Sequence, residues 1–157
     1  MTVRQALVLA ALALLVVALA LRLERHSPSA GAIVADPGRT PGVLNPDVTQ
    51  STIRSTICVR GWTATIRPPV EHTNELKRRQ MREYGETGPA SAYQEDHLIS
   101  LELGGDPSDP RNLWPEPYPR AADVDRIEND LNAQVCGGSL SLRDAQRKES
   151  ELKHAQG

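Results

Sequence analysis

The hydrophobic pattern divides the chain into three stretches. From Ala6 to Leu21 every residue is apolar, with Arg4 before the run and Arg22 after it. A run of this length lies at the border between a signal-peptide core and a membrane span, which takes roughly 20 residues. No small-x-small cleavage site follows, because Arg22, Glu24 and Arg25 intervene. Residues 1–24 are therefore read as a signal peptide or signal anchor, with the uncleaved anchor ahead. Export follows: a domain held on the membrane and facing the exterior, or secreted if the segment is removed. Residues 25–47 are rich in Pro, Gly, Ser and Asp without any hydrophobic period, which predicts a flexible tether. The folded domain is expected over 48–157.

Within that domain the periods alternate between two and 3.6. From Cys58 to Ile66, Trp62, Ala64 and Ile66 alternate with Thr63 and Thr65, which predicts a strand ended by Pro68-Pro69. Thr73 to Tyr84 predicts a short helix stopped by Gly85. Tyr93 to Leu103 is again strand-like, Gly104-Gly105 marks a turn, and Asn112-Leu113-Trp114 forms a second short strand. From Ala121 to Val135 the residues Val124, Ile127, Leu131 and Val135 recur at helical spacing, and Gly137-Gly138 end the helix. Ser141 with Asp144 three residues later opens a last helix. Its tail from Arg147 is charged nearly all round and is expected to fray. The fold class is α+β.

Charge removes one class of function. The chain has 18 basic and 20 acidic residues. Residues 1–24 hold two of the former and one of the latter, which leaves 16 against 19 and a formal charge of −3. Bulk coating of a polyanion is excluded by that balance; a local patch would have to serve. Lys77, Arg78, Arg79 and Arg82 on the first helix supply one candidate for phosphate binding, the alternative being an ordinary solvated face. Phe is absent, so the core rests on Leu, Ile, Val, Ala and two Trp; Trp62 and Trp114 are read as core rather than as stacking platforms. Cys58 and Cys136 are the only cysteines. In an exported chain such a pair is read first as a disulfide, with two separate buried thiols as the alternative. No Cys-x-x-Cys pair is present to build a zinc knuckle.

The chemistry concentrates in one hairpin. Asp96-His97 stands in the first of its strands and Asn112, fifteen positions beyond His97, in the second. A neutral imidazole can take a proton from water, a carboxylate can hold a hard cation, and an amide across the hairpin can fix the backbone or ring near the base. The segment from Tyr93 to Gly105, with Asp109-Pro-Arg-Asn-Leu-Trp-Pro115, resembles the ββα-metal core of HNH (His-Me finger) nucleases. The match covers roughly residues 93–136. Cys58 to Thr63 and Glu128 to Cys136 are similar to a group of small exported bacterial proteins with the same core.

The resemblance implies a metal-dependent nuclease that hydrolyses phosphodiester bonds of nucleic acid, with DNA ahead of RNA. It implies His97 as general base, Asn112 as its structural partner and Asp96 as metal ligand. The following helix should supply the remaining ligands, for which Glu128 and Asn132 share one face, as do Asp125 and Asn129. In the similar exported proteins a histidine commonly stands at the position of Asn132. The oxygen-rich set Asp96, Asn132 and Glu128 favours Mg²⁺ or Mn²⁺ over Zn²⁺. Glu95 is a candidate carboxylate behind the site. The alternative is a catalytically weakened HNH-fold module that binds a partner or polyanion at the cell envelope. No protein partner follows from the sequence; the membrane is a partner if the N-terminal segment stays.

Overall fold

The structure, a computed structural model, describes residues 33–118 and 120–156. The expected targeting segment 1–24 lies outside these residues. Among the described residues no helix is long and apolar enough to cross a membrane.

The domain is α+β. Among the described residues it holds four helices and one two-stranded antiparallel sheet. A short helix α1 (Trp62–Ile66) precedes α2 (Val70–Glu83). Strands β1 (Tyr93–His97) and β2 (Leu113–Pro117) pair with His97 opposite Leu113 and Asp96 opposite Trp114. Helices α3 (Arg120–Gly137) and α4 (Leu142–Gln156) follow. The helix α2 packs on both strands; α3 packs on β2, on α4 and on the turn Leu101–Leu103.

Local chemistry accounts for the ends of these elements. Gly85 has a φ of 75°, its N–H bonds Arg82 O and the Glu86 N–H bonds Met81 O, a Schellman stop for α2. Ser141 accepts the Asp144 N–H at 3.1 Å and donates to the Asp144 carboxylate at 2.7 Å, opening α4 as the pattern predicts. The helix α2 starts at Val70 rather than at Thr73.

Four further expectations are corrected by the structure. Residues 62–66 form a helix, not a strand. Trp62 and Ile66 are four apart, so a five-residue alternation fits either period, and the sheet contains only β1 and β2. The segment 33–47 is docked rather than a free tether. Asn45 N bonds Gly104 O, Gly42 N bonds Arg111 O, and Ala35 and Thr40 are fully buried. The tail of α4 does not fray: Leu142, Ala145, Glu149 and Lys153 form its buried stripe. In α3 the stripe runs through Ala121, Val124, Leu131 and Val135, while Ile127 is exposed.

The disulfide Cys58–Cys136 is formed, with Cα atoms 5.6 Å apart. It ties the segment before α1 to the end of α3. The main apolar cluster lies around it: Val48, Ile53, Ile57, Ile99, Leu103, Leu131, Val135, Leu142 and Ala145. Ala35, Leu98 and Trp114 form a second cluster.

Candidate active site

Among the described residues strand β1 pairs only with β2, and a cavity of about 360 Å³ lies beside it. Gln94, Glu95, Asp96 and His97 line it from the strand, Arg67 from the end of α1, and Asp125, Glu128 and Asn129 from α3. Successive strand residues face opposite ways, so Glu95 and His97 share one face of β1 while Asp96 pairs with Trp114 on the other.

His97 is held from the loop between the strands. Its Nε2 lies 3.1 Å from the Pro107 carbonyl. Burial pushes the imidazole below its ordinary pKa, opposed by the Pro107 bond and by Asp96, which keeps it neutral. A carbonyl only accepts, so Nε2 carries the proton and Nδ1 keeps the lone pair.

The loop that presents Pro107 is fixed by Asp106 and Asn112. Asp106 Oδ1 accepts the N–H groups of Ser108 at 2.9 Å and Asp109 at 2.8 Å. Asn112, fully buried, accepts the Ile99 N–H at 3.0 Å and donates to Ile99 O at 3.0 Å and Asp106 O at 2.9 Å. Glycine is required beside it: a Cβ on Gly105 would lie 1.8 Å from Ile99 O and 2.6 Å from Asn112 Nδ2. Asn112 thus acts on the backbone that carries His97 and Pro107, not on the imidazole itself.

Asp96 meets a lysine. Lys153 Nζ donates to Asp96 Oδ2 at 2.7 Å, to Glu128 Oε1 at 2.6 Å and to the His97 carbonyl, and lies 3.5 Å from Glu149 Oε1. Its side chain is wholly buried. Burial alone would lower its pKa, but Asp96, Glu128 and Glu149 together raise it well above the ordinary value. Full burial raises Glu149 well above its ordinary value, against the pull of Lys153, and Ser100 N donates to it. Burial likewise raises Glu128, again against Lys153.

Two further carboxyls are pushed up to about 8. Glu95 is raised by burial, with Lys77 drawing it down, and neither oxygen has a hydrogen-bond partner. Glu116 is raised by burial and by Asp96; its Oε2 accepts a 3.4 Å bond from Gln94. The face shared by Glu95 and His97 therefore carries a sealed carboxyl held protonated and an imidazole held neutral.

The structure brings Asp96, His97 and Glu128 to one place, with Asn112 bracing it. It does not bring Asn132 there. That amide donates to Glu102 O at 2.7 Å and Ile57 O at 3.4 Å, and lines a separate cavity beside the disulfide. The basic residues of α2 do not line the cavity either. Lys77 bonds Tyr93 O at 2.9 Å, Arg82 bonds Arg78 O, Arg79 lies 3.9 Å from Glu83, and Arg78, Arg79 and Arg82 are exposed. Arg67, which no sequence signal picked out, is the basic residue lining the cavity. Glu149 and Lys153 were missed because they sit in a run, charged nearly all round, that is expected to fray. The available signal was their stripe spacing with Leu142 and Ala145.

The divalent ion implied by the resemblance does not fit this donor set as it stands. The oxygens that would hold it are engaged at hydrogen-bond distances by the Lys153 ammonium. As the described residues stand, with Lys153 in place, no three His, Cys, Asp or Glu side chains form a group that could hold a metal ion. No protein-family model, curated protein or solved structure matches the chain.

Proposed function

We propose that the cavity beside β1 hydrolyses phosphodiester bonds of nucleic acid, DNA ahead of RNA, through an HNH-type hairpin. The observation that carries this reading is the state of His97: neutral, Nε2 committed to Pro107, Nδ1 left basic on a residue that lines the cavity. In the reaction Nδ1 takes a proton from water and the hydroxide attacks phosphorus. Arg67 offsets the charge that gathers on the phosphoryl oxygens. The leaving oxygen takes its proton from water, and the His97 imidazolium gives its own back to solvent. No step runs through a divalent ion, because Lys153 engages Asp96 and Glu128. The apolar run Ala6–Leu21 and the Cys58–Cys136 disulfide support an exported domain.

The purified full chain is to be tested on plasmid DNA and on bis(p-nitrophenyl) phosphate, in EDTA and with Mg²⁺ or Mn²⁺. Cleavage is expected in the wild type and is expected to vanish in His97→Ala. Cleavage that survives His97→Ala, or that never appears under any condition, defeats the reading.

A second reading is favoured by Lys153. With the carboxylates neutralised from within, the hairpin would serve as a weakened module that binds a polyanion or a partner at the envelope. Retained DNA binding without turnover supports it.

A further inference from the structure

The contacts of Lys153 exceed what a buried ion pair requires. Its ammonium is surrounded by four oxygens from three elements: Asp96 Oδ2 and the His97 carbonyl of β1, Glu128 Oε1 of α3, and Glu149 Oε1 of α4. An all-oxygen set that mixes carboxylates with a backbone carbonyl is the kind that hard cations take. The side chain reaches this place from the buried stripe of α4 and has no exposed surface. Its helix is tied on both sides. Ala35 N bonds Lys153 O, His154 Nε2 lies 2.9 Å from Thr40 O, and Gln146 donates to Leu103 O. Lys153 cannot withdraw without unpacking these contacts. It also holds the carbonyl of His97 itself, so its position is transmitted to the base by one residue of backbone.

We propose that Lys153 is the built-in cation of this hairpin. Its ammonium takes the place among Asp96, Glu128, Glu149 and the His97 carbonyl that a divalent ion would fill, and the site works without metal. The inference rests on the hairpin reading above. Lys153 acts as a positioning residue: it touches no substrate, and it sets the strand end that carries His97. Removing the ammonium leaves the carboxylates facing a vacant place. That place, with water to complete the shell, is the right chemistry for Mn²⁺ or Mg²⁺.

The test is a Mn²⁺ titration of the full chain, read by electron paramagnetic resonance. The wild type is expected to bind no Mn²⁺ at millimolar concentration, and its melting temperature is expected to be the same in Mn²⁺ and in EDTA. Lys153→Ala is expected to gain one Mn²⁺ per chain, and adding Glu128→Gln to it is expected to abolish that gain. The pH profile of cleavage is also expected to shift in Lys153→Ala, which an ion pair with no hold on the His97 carbonyl would not cause. Stoichiometric Mn²⁺ binding by the wild type that is lost in Asp96→Asn overturns the proposal, as does a folded Lys153→Ala that binds none. Where Lys153→Ala does not fold by itself, Mn²⁺ in the refolding buffer is expected to restore its near-ultraviolet circular dichroism; failure to do so also overturns the proposal. Metal-dependent cleavage by the wild type would remove this inference and leave the phosphodiesterase reading standing. A wild type that neither cleaves nor binds Mn²⁺ would remove the phosphodiesterase reading and leave Lys153 only as the cation that fills the place among the carboxylates.

Discussion

Replacing Asn112 by alanine tests the hairpin at the point where fold and chemistry meet. The side chain is fully buried and makes three hydrogen bonds of 2.9–3.0 Å, two to Ile99 and one to Asp106. The substitution removes the bonds and leaves the Ile99 N–H, the Ile99 carbonyl and the Asp106 carbonyl without them. Each stranded buried group costs roughly 1–3 kcal/mol, so the loss for three is on the order of 3–9 kcal/mol. That is a large share of the roughly 5–15 kcal/mol that holds an ordinary domain together. Asn112→Asp is not a rescue: it keeps an acceptor for Ile99 N–H but sets a second oxygen against two carbonyls. Urea unfolding followed by fluorescence of the buried Trp114 measures the loss, and hydrogen exchange of the Ile99 amide locates it. The same variant should free the loop that carries Pro107, so ¹⁵N shifts of His97 are expected to move from the Nε2-protonated tautomer toward a mixture. A loss below about 1 kcal/mol, with the Ile99 amide still protected, would refute the reasoning.

The remaining expectations concern the crosslink and the buried carboxyls. The disulfide closes a loop of 78 residues, worth about 4 kcal/mol through the unfolded chain. A Cys58→Ser/Cys136→Ser protein is expected to melt well below the wild type, and an unchanged melting temperature counts against this. Burial raises the Glu95 and Glu116 carboxyls from 4.5 to about 8. A raised folded pKa means that their contribution is whole below about pH 4.5 and is lost as pH rises through about 8. His97 has the opposite sign: burial lowers it, so its contribution is present above its ordinary 6.5 and is lost as pH falls. The raised carboxyls, Glu128 and Glu149 among them, outnumber the one imidazole, so stability is expected to fall between about pH 5 and pH 8. Glu95→Gln should flatten that fall, by on the order of 4 kcal/mol at most at the alkaline end. A denaturant series across this range decides it, and a Glu95→Gln curve parallel to the wild type would reject it.

The sequence by itself determined what short-range rules control. The stop of α2 at Gly85 needs only a residue free to take positive φ. The opening of α4 needs only Ser141 and Asp144. The hairpin turn at Gly104-Gly105, the order of Asp96, His97 and Asn112, and the pairing of the two cysteines were legible as well. The first two rest on residue type and local spacing, and the cysteines on there being only two of them. The five residues of α1 were not legible, because so short a run fits both periods and the choice fell to packing. Nor was the docking of 33–47, whose partners such as Arg111 and Lys153 lie far along the chain. Lys153 is the sharpest case. In isolation, a lysine in a charged tail belongs in water, since burying an ammonium costs several kcal/mol. Only the tertiary structure could bring Asp96, Glu128 and Glu149 around it and reverse that balance. The identity of the cation beside His97 was therefore decided by contacts spanning 57 residues, beyond the reach of any local pattern.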